Sequence, residues 1–283
     1  MTGLLVQLLA SIPSPSVNGI ELGPFDLRAY GVLIATGVLV AWTVARRRYT
    51  QFGGDPELAD TVAMRAVVFG FLGARLAYVS THLDRFAGDD WWRVIAIWEG
   101  GLALFGGLTF GAIAAIVTLR RQGGDVPAFA DAVAVGIPLA QAIGRWGNYF
   151  NQELFGTPTT LPWAVEIAPA FRPDAYAEFA TFHPTFLYES LWNLLLAGSL
   201  LLVERRVRLQ RGTLFLLYLA GYGTMRFLLE LIRTDTTFRL LGLSRNGWVS
   251  LLVVVAAVVL AVRRERGAVS DPPMPDREHQ RTI

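Results

Sequence analysis

Residues 248–262 read WVSLLVVVAAVVLAV, and the basic residues Arg263, Arg264 and Arg266 follow closely behind this apolar run. A helix needs about 20 predominantly apolar residues to cross the hydrocarbon core of a bilayer. Arginine-rich flanks of such helices stay on the cytoplasmic side of the membrane. The stretch therefore predicts a membrane-spanning helix that ends in the cytoplasm.

Six earlier segments are also long apolar runs, so the sequence predicts seven transmembrane helices. The predicted spans are residues 28–46, 60–80, 100–120, 129–150, 186–203, 213–232 and 248–262. Of the 283 residues, 53% are hydrophobic and only 17% are charged, which is too apolar for one water-soluble core. We expect an all-α polytopic membrane protein with one domain, residues 1–264, followed by a polar, disordered cytoplasmic tail, residues 265–283.

Clusters of arginine follow every odd-numbered span, at residues 46–48, 120–121, 205–211 and 263–266. This pattern predicts that the N-terminus lies outside and the C-terminus in the cytoplasm. The longest external loop, residues 152–183, contains Pro158, Pro162, Pro169 and Pro173. Because proline disfavours a helix interior, we expect this loop to form a small ordered external cap.

Composition also excludes several kinds of chemistry. The chain has no cysteine, so a nucleophilic thiol of its own and a thiolate metal site are both excluded. Its three histidines, His82, His183 and His279, are far apart and lack the spacing of a metal motif. We predict no metal and no other cofactor. The net charge of +2 indicates no particular partner, and no nucleic acid is expected to bind.

Several ionisable residues lie inside predicted spans, among them Arg75 in the second, Arg145 in the fourth, and Arg226 and Glu230 in the sixth. A charge at the centre of a spanning helix costs about 2.5 to 3.5 kcal/mol on insertion scales, so each one needs a reason. On a helix, the spacing of four, four and three residues would put Tyr222, Arg226, Glu230 and Arg233 on one face. Two interpretations remain open: Arg226 and Glu230 neutralise each other to fix helix packing, or they belong to a functional site.

The densest polar signal is the run GRWGNYFNQELFG, residues 144–156. Asn148 and Asn151 are three residues apart and share a helix face, where their amides can both donate and accept hydrogen bonds. Arg145 can hold a phosphate through two parallel hydrogen bonds. The alternative is a polar helix end with a glycine cap at Gly156.

A third polar group, His183-Pro-Thr-Phe-Leu-Tyr188-Glu189, stands where the fifth span begins. Arginines that converge with Asn, Tyr and Glu near the outer leaflet are typical of a site for an anionic lipid head group. Phosphate chemistry depends on such positioning and charge neutralisation more than on covalent help from the protein.

These residues resemble the prolipoprotein diacylglyceryl transferase family, whose signature is similar to residues 144–156. Other family landmarks follow in the same order along nearly the whole chain, from about Leu22 to Arg264. They are Leu22-Gly-Pro, Arg28-Ala-Tyr30-Gly31, Gly73-Ala-Arg75, Gly100-Gly-Leu, Gly106-Gly107, Asp131, His183-Pro through Tyr188-Glu189, and Tyr222-Gly through Arg226, Glu230 and Arg233.

The resemblance implies a thioether-forming transfer on the outer face of the bacterial plasma (inner) membrane. The diacylglyceryl group of phosphatidylglycerol moves to the lipobox cysteine of a prolipoprotein signal peptide, and glycerol 1-phosphate leaves. The implied partners are phosphatidylglycerol, prolipoproteins and the lipid bilayer. The sulfur belongs to the substrate, which suits a chain without cysteine.

The resemblance also carries roles onto matching positions of this chain. The implied catalytic residues are Arg145, Arg226, Glu230, Tyr30 and Asn148. The implied substrate-binding residues are Arg145, Arg226, Asn151, Glu153, Gly156, Arg75, Arg233, Tyr188 and His183.

One position departs from the family pattern. Well-known members have a histidine just before the paired glycines of the third span, and this chain has Phe105 there. Either another group accepts the thiol proton, or the arginines lower the thiol pKa enough without a base. His183 is more simply explained as a residue that orients Tyr188 or Glu189.

Two other classes of protein were weighed against this one. Intramembrane arginines and glycine-rich spans also suit a transporter or flippase of an anionic lipid, but no internal repeat is visible. An intramembrane protease would need a Gly-x-Ser-x-Gly motif, paired aspartates within spans or zinc-binding histidines, and the sequence has none of these.

Overall fold

A computed structural model describes residues 11–22, 25–86, 88–96, 100–233 and 239–270, and within them the chain forms seven long α-helices. They are α1 (Ala29–Gln51), α2 (Pro56–Thr81), α3 (Leu104–Arg121), α4 (Val126–Asn151), α5 (Thr185–Arg206), α6 (Thr213–Glu230) and α7 (Arg245–Ser270). Each predicted span has its helix, because long apolar runs with few breakers satisfy their backbone hydrogen bonds only as helices in lipid.

Six of these helices, α1 to α5 and α7, are long and apolar enough to cross a membrane. Many of their large apolar side chains are exposed on the protein surface, among them Leu195 of α5 and Leu252 of α7. Apolar exposure of this extent marks a surface that meets lipid rather than water. The chain is therefore a helical, multi-pass membrane protein. The helix outside this set is α6, which carries Arg226 and Glu230.

Three short antiparallel hairpins precede helices. They are β1 (Gly19–Leu22) with β2 (Phe25–Arg28), β3 (Val165–Glu166) with β4 (Thr181–Phe182), and β5 (Arg239–Leu240) with β6 (Leu243–Ser244). In their registers Gly19 pairs with Arg28, Val165 with Phe182, and Arg239 with Ser244. The first hairpin leads directly into α1 and the third directly into α7, so each fixes the start of a helix.

Most predicted boundaries differ from the observed ones by a few residues, and the differences at the start of the third span and at the tail correct the prediction. The third span was predicted from residue 100, but Gly100 and Gly101 have φ values of 83° and 70°, and α3 begins only at Leu104. This left-handed backbone suits glycine and cannot continue a helix. At the other end of the chain, α7 continues to Ser270 and so includes residues 265–270 of the predicted tail. The rest of that tail, residues 271–283, lies outside the described residues.

The chain divides into two compact units. Residues 38–136 form one unit, which contains most of α1, the beginning of α4, and all of α2 and α3. Helices α2 and α3 pack backbone to backbone, because a Cβ added to Gly73 would lie 2.8 Å from the carbonyl oxygen of Gly106. Such small-residue contacts are common where helices associate in lipid.

The other unit comprises residues 1–37 and 137–283. It holds the start of α1, the end of α4, and α5 to α7. Gly37 lies against the backbone of α4, where an added Cβ would be 3.0 Å from the carbonyl oxygen of Ala140. This close contact ties the first turns of α1 to the last turns of α4.

Residues 152–183, the predicted cap, are an ordered segment of this second unit. They contain β3, β4 and two short 3₁₀-helices, Pro169–Phe171 and Asp174–Tyr176. Their apolar core consists of Phe155, Val165, Ile167 and Phe182, packed on Phe186 of α5. Residues outside the segment complete it, since the backbone of Ile12 bonds to those of Ala164 and Glu166. The predicted loop therefore folds over the ends of α4 and α5.

Candidate functional site

Four of the predicted site residues meet at the end of α4. Arg145 donates from Nη1 to Oδ1 of Asn148, 3.3 Å away. Asn148 and Asn151 both donate from Nδ2 to Oε1 of Glu153, at 2.9 and 3.1 Å. Both amides therefore converge on one carboxylate oxygen, and the shared helix face predicted for the two asparagines is consistent with this geometry.

A sharp reversal after α4 places Glu153 within reach of that helix. Gln152 and Leu154 have φ values of 50° and 58°, a left-handed conformation that is uncommon for residues other than glycine. The surrounding segment holds this backbone in place: Gln152 Oε1 accepts from the backbone N–H of Ala168 at 2.8 Å, and Thr185 donates its hydroxyl to the Leu154 carbonyl. Strain of this kind is typical of positions where a fold fixes functional groups.

Arg145 is paired with a residue that the sequence analysis did not assign to the site. Nη2 of Arg145 lies 2.6 Å from Oε2 of Glu189, which is on the first turns of α5. The Arg145 side chain is 20% exposed and that of Glu189 only 5%. A buried carboxylate in a spanning helix needs a partner, and the same rule applied to Glu189 would have identified it from sequence.

Arg226 lies on α6 with its own carboxylate partner. Its Nη2 is 3.3 Å from Oε2 of Glu230, one turn further along the helix, and both side chains are mostly buried. Arg226 also interacts electrostatically with Glu189 and with Arg233. Glu189 therefore forms an ion pair with Arg145 and acts on Arg226 through its charge, although the two arginines are on different helices.

Glu230 is held from a second side. Ser244 donates its hydroxyl to Glu230 Oε1 at 2.7 Å, and the backbone N–H of Gly247 donates to the same serine oxygen at 2.9 Å. Ser244 ends the hairpin that precedes α7, so the start of α7 fixes the Arg226 pair. Sequence gave no signal for this contact, because a serine before a helix is ordinarily only a capping residue.

The prediction that Arg233 shares the helical face of Arg226 and Glu230 is wrong. Helix α6 ends at Glu230, and Leu231 and Ile232 form a turn. Arg233 then lies in an antiparallel bridge opposite Gly156. Backbone pairing with the cap segment competes successfully with a further helical turn at this position.

Gly156 is required by close packing of three chain segments. Its N–H donates to the carbonyl of His183 at 3.0 Å, and a Cβ at this position would lie 2.8 Å from Cβ of His183 and 3.2 Å from the Ile232 carbonyl oxygen. A side chain would therefore push the cap segment away from the end of α6. Its role is to permit this approach, rather than to cap a helix.

Tyr30 lies on the same side of α4 as Gly147. A Cβ added to Gly147 would be 2.4 Å from Cδ2 of the Tyr30 ring, so the ring rests directly on the helix backbone beside Asn148. Tyr30 is nonetheless exposed. It combines a fixed ring with an accessible surface, as a residue that contacts a substrate requires.

His183 and Tyr188 form a hydrogen-bonded pair at the start of α5. Nδ1 of His183 is 3.1 Å from the Tyr188 hydroxyl, and Trp163 donates from Nε1 to that hydroxyl at 3.0 Å. Since Tyr188 accepts from Trp163, its proton is free to point at Nδ1 of a neutral imidazole. Burial lowers the pKa of His183 below its usual value of 6.5, which favours the same neutral form.

The polar cluster borders an open cleft. The cleft has a volume of about 480 Å³, and its walls include Arg28, Asn151 and Glu153 together with Phe155 and Phe171 of the cap segment. It is large enough for part of a small molecule or peptide. Arg28 and the two signature residues give its wall polar groups of both charges.

Arg75 belongs to the other unit and has a different environment. Its guanidinium donates to the carbonyls of Val94 at 2.8 Å, Gly100 at 2.7 Å and Gly101 at 3.0 Å, and also to that of Arg93. Four of its five N–H groups are thus occupied by backbone carbonyls of residues 93, 94, 100 and 101. This geometry favours a structural role over the substrate binding that the resemblance implied.

The cluster in the second unit is a partly desolvated site that contains two arginines, the buried carboxylates of Glu189 and Glu230, the exposed carboxylate of Glu153, and several amides. It suits an anion such as a phosphodiester, because guanidinium groups bind phosphate bidentately and do so best away from water. Among the described residues, no group of three or more His, Cys, Asp or Glu could hold a metal ion.

Comparisons with known proteins agree with this chemistry. The family model described as "Prolipoprotein diacylglyceryl transferase" matches residues 18–263. A phosphatidylglycerol–prolipoprotein diacylglyceryl transferase of Frankia alni is 51% identical over 262 residues, which are 91% of this chain and 69% of that protein. One from Streptomyces coelicolor is 47% identical over 256 residues (90% and 81%), and one from Mycobacteroides abscessus is 41% identical over 279 (93% and 81%). The chain therefore belongs to the prolipoprotein diacylglyceryl transferase family.

Proposed function

We propose that this chain transfers the diacylglyceryl group of phosphatidylglycerol to the lipobox cysteine of prolipoproteins, which is the first step of bacterial lipoprotein maturation. The observation that carries the proposal is the pair of arginines on α4 and α6, each of which forms an ion pair with a buried carboxylate inside an apolar bundle. The names of the relatives supply the substrates. The alternative of an anionic-lipid transporter is not favoured.

Arg145 and Arg226 would hold the phosphodiester of phosphatidylglycerol. Among the described residues, Nη1 of Arg226 is buried and has no hydrogen-bond partner, so this donor is ready for an acceptor that the described part of the chain does not provide. An unmet buried donor is costly, and a phosphate oxygen would satisfy it.

The reaction itself needs little covalent help from the protein. The thiol of the lipobox cysteine loses its proton, and the sulfur attacks the carbon of the diacylglyceryl group that is bonded to the phosphate oxygen. The C–O bond to that phosphate breaks, its electron pair stays on the phosphate oxygen, and glycerol 1-phosphate leaves as the thioether forms. The two guanidinium groups would stabilise the charge that develops on the departing phosphate.

The remaining site residues would position these groups. Asn148 orients Arg145, and Glu153 fixes Asn148 and Asn151. Glu230 orients Arg226. Tyr30 would offer its phenol to substrate beside this cluster. Arg233, through its charge, would add to the field that attracts an anion.

The thiol proton does not need a histidine at the position of Phe105. A free thiol has a pKa near ~8.5 and is a few per cent ionised at neutral pH, and nearby guanidinium groups lower that pKa. His183 is engaged with Tyr188, and its backbone N–H and carbonyl are bonded within the cap segment. We therefore assign His183 a structural role and leave the ionised thiol as the nucleophile.

All seven helices would span the membrane, α6 included. At about 1.5 Å per residue its 18 residues extend ~27 Å, close to the thickness of the hydrocarbon core. The charges that lower its hydropathy, Arg226 and Glu230, are buried and paired with each other. A neutralised pair inside the bundle removes most of the penalty for a charged residue in lipid.

The site would face outward from the plasma membrane. The loop from α5 to α6 carries Arg205, Arg206, Arg208 and Arg211, which predicts that it is cytoplasmic. Glu189 lies near the start of α5 and Arg226 near the end of α6, so both are at the ends of these helices that are remote from this loop. The N-terminus and the cap segment would then be external. Because the chain lacks cysteine, Glu178→Cys and Arg208→Cys can be tested for labelling by an impermeant maleimide, and only the former should react in intact cells.

The proposed activity can be measured with the purified full chain, phosphatidylglycerol and a lipobox peptide. Mass spectrometry should detect a peptide that has gained the mass of a diacylglyceryl group. The same peptide with its cysteine replaced by serine should remain unmodified. Absence of the adduct with well-folded protein, or equal modification of the serine peptide, would contradict the proposal.

A further inference from the structure

Glu189 has a position in the site that none of the roles above explains. It is 4% exposed, it lies on α5, and its Oε2 is 2.6 Å from Nη2 of Arg145 on α4. It also interacts electrostatically with Arg226 on α6. A single carboxylate thus pairs with one of the two arginines that are proposed to bind one phosphate, and its charge acts on the other.

The proposed phosphate site binds lipid and releases product in every turnover, so its arginines must be stable both with and without a bound phosphate. A buried guanidinium without an anion is costly when no lipid is bound. Two guanidinium groups in a low-dielectric site would also hold a phosphate product very tightly, because charge attraction is stronger away from water. An anion supplied by the protein would relieve both problems.

We infer that Glu189 is the resident anion of the Arg145 site, which the phosphodiester of the lipid displaces and which returns to Arg145 when glycerol 1-phosphate leaves. The carboxylate thus competes with substrate and product for the same guanidinium. This inference rests on the proposed function of the site. It assigns Glu189 a positioning role that controls how strongly phosphate is held.

Glu230 is less suited to this exchange, although it pairs with the second arginine. Its Oε1 accepts from Ser244 at 2.7 Å, and it is on the same helix as Arg226. Among the described residues, the hydrogen-bonding and ion-pair partner of Glu189 is Arg145, on a different helix. Glu189 can therefore release Arg145 without disturbing a hydrogen bond to a third residue, whereas Glu230 is also bonded to Ser244.

The test is the affinity of the purified full chain for sn-glycerol 1-phosphate, measured both as a product-inhibition constant and by calorimetry. Glu189→Gln keeps the size of the side chain and removes its charge. We expect this variant to bind glycerol 1-phosphate about tenfold more tightly, because a charged competitor for Arg145 has been removed. Its kcat should be lower, because the product leaves more slowly. A purely structural role would lower stability or activity without tightening the binding of product.

Two further variants keep the test decisive. Glu204→Gln, near the other end of α5, is the matched control and should leave the affinity unchanged. Glu189→Asp retains the charge but withdraws it from Arg145, so its affinity should lie between those of the parent and Glu189→Gln; this variant decides the matter if Glu189→Gln does not fold. Unchanged or weaker binding of glycerol 1-phosphate in the Glu189 variants would overturn the inference.

Failure of the proposed function would be recognised separately. If the parent protein forms no thioether product, the function fails, while calorimetry with glycerol 1-phosphate still reports whether Glu189 competes for the arginine. If the parent is active and the calorimetric affinity does not rise in Glu189→Gln, only the inference on Glu189 fails.

Discussion

Arg75 in one unit and Arg145 in the other are both mostly buried arginines in apolar helices, and their partners differ in kind. Arg75 donates to four backbone carbonyls of residues 93–101 and stacks near the rings of Tyr78 and Phe86. Arg145 is bonded to the side chains of Glu189 and Asn148. Backbone carbonyls cannot leave without unfolding a loop, whereas a carboxylate can be replaced by another anion.

The comparison shows how a structural arginine in a membrane protein can be distinguished from one that binds ligand. Cost of burial alone does not separate them, since insertion penalises both alike. The chemistry of the partner distinguishes the two arginines. An arginine that is bonded to backbone carbonyls stabilises the fold, whereas one that is paired with a carboxylate can exchange this partner for an anionic ligand. Three predictions follow this distinction, in order of the size of the expected effect.

The largest effect should come from the arginines with exchangeable partners. Arg145→Ala and Arg226→Ala each remove a charge-assisted contact to phosphate, which costs ~2 to 4 kcal/mol, or roughly thirty- to several-hundredfold in rate. Initial rates of peptide modification at saturating lipid measure this loss. Arg208→Ala, at an exposed position in the α5–α6 loop, is the control and should retain full activity. Near-parental rates in a correctly folded Arg226→Ala protein would remove Arg226 from the site.

Arg75→Ala should act on stability instead. Loss of the guanidinium leaves four carbonyls of the 93–101 loop without their donor, and even one such group costs ~1 to 3 kcal/mol when buried. We expect a clear fall in the thermal unfolding temperature in detergent, with KM for phosphatidylglycerol within about threefold of the parent in the folded fraction. Arg121→Ala, at the exposed end of α3, should leave the unfolding temperature unchanged. A stable Arg75→Ala protein with a greatly raised KM would show that Arg75 binds lipid after all.

The smallest effect is expected for His183, whose partners are a tyrosine and the backbone. His183→Asn should keep more than about a tenth of the activity, because loss of a general base typically costs ~100- to 10,000-fold. Burial lowers the pKa of His183 below 6.5, so the imidazole is already neutral above that pH, and any protonation of it occurs on the acid side. Between pH 6.5 and 8 the rate profiles of parent and variant should therefore run parallel. A thousandfold loss, with an inflection that disappears in the variant, would make His183 the base.

Much of the fold could be predicted because lipid imposes a simple rule. Each apolar run of sufficient length became a helix, and the polar end of the fourth span became the most densely connected part of the site. The departures have local causes. Gly100 and Gly101 adopt a left-handed backbone and open a loop where a helix was expected, and Arg233 leaves the helix to pair with Gly156.

The contacts between site residues were harder to predict from sequence than the identity of those residues. Arg145 and Glu189 are on separate helices, and no local spacing relates them. The same holds for Ser244 and Glu230, which meet only because the third hairpin folds onto the end of α6. Glu189 could have been found as an acid within a predicted span, whereas the contacts of Ser244, Gln152 and Trp163 depend on tertiary structure alone.

The carboxylate of Glu265 lies at the N-terminus of α6, the end of that helix remote from Arg226. Its Oε1 accepts from the backbone N–H of Gln210 at 2.9 Å and from the hydroxyl of Thr213, the first residue of α6, at 2.6 Å. The first turn of α6 has no acidic residue of its own, so this carboxylate from α7 is well placed to balance the partial positive charge, about half a unit, of the helix macrodipole. Shortening the chain after Arg264, where the polar tail was predicted to begin, would remove it. A truncated protein intended for crystallisation should therefore end after Ser270.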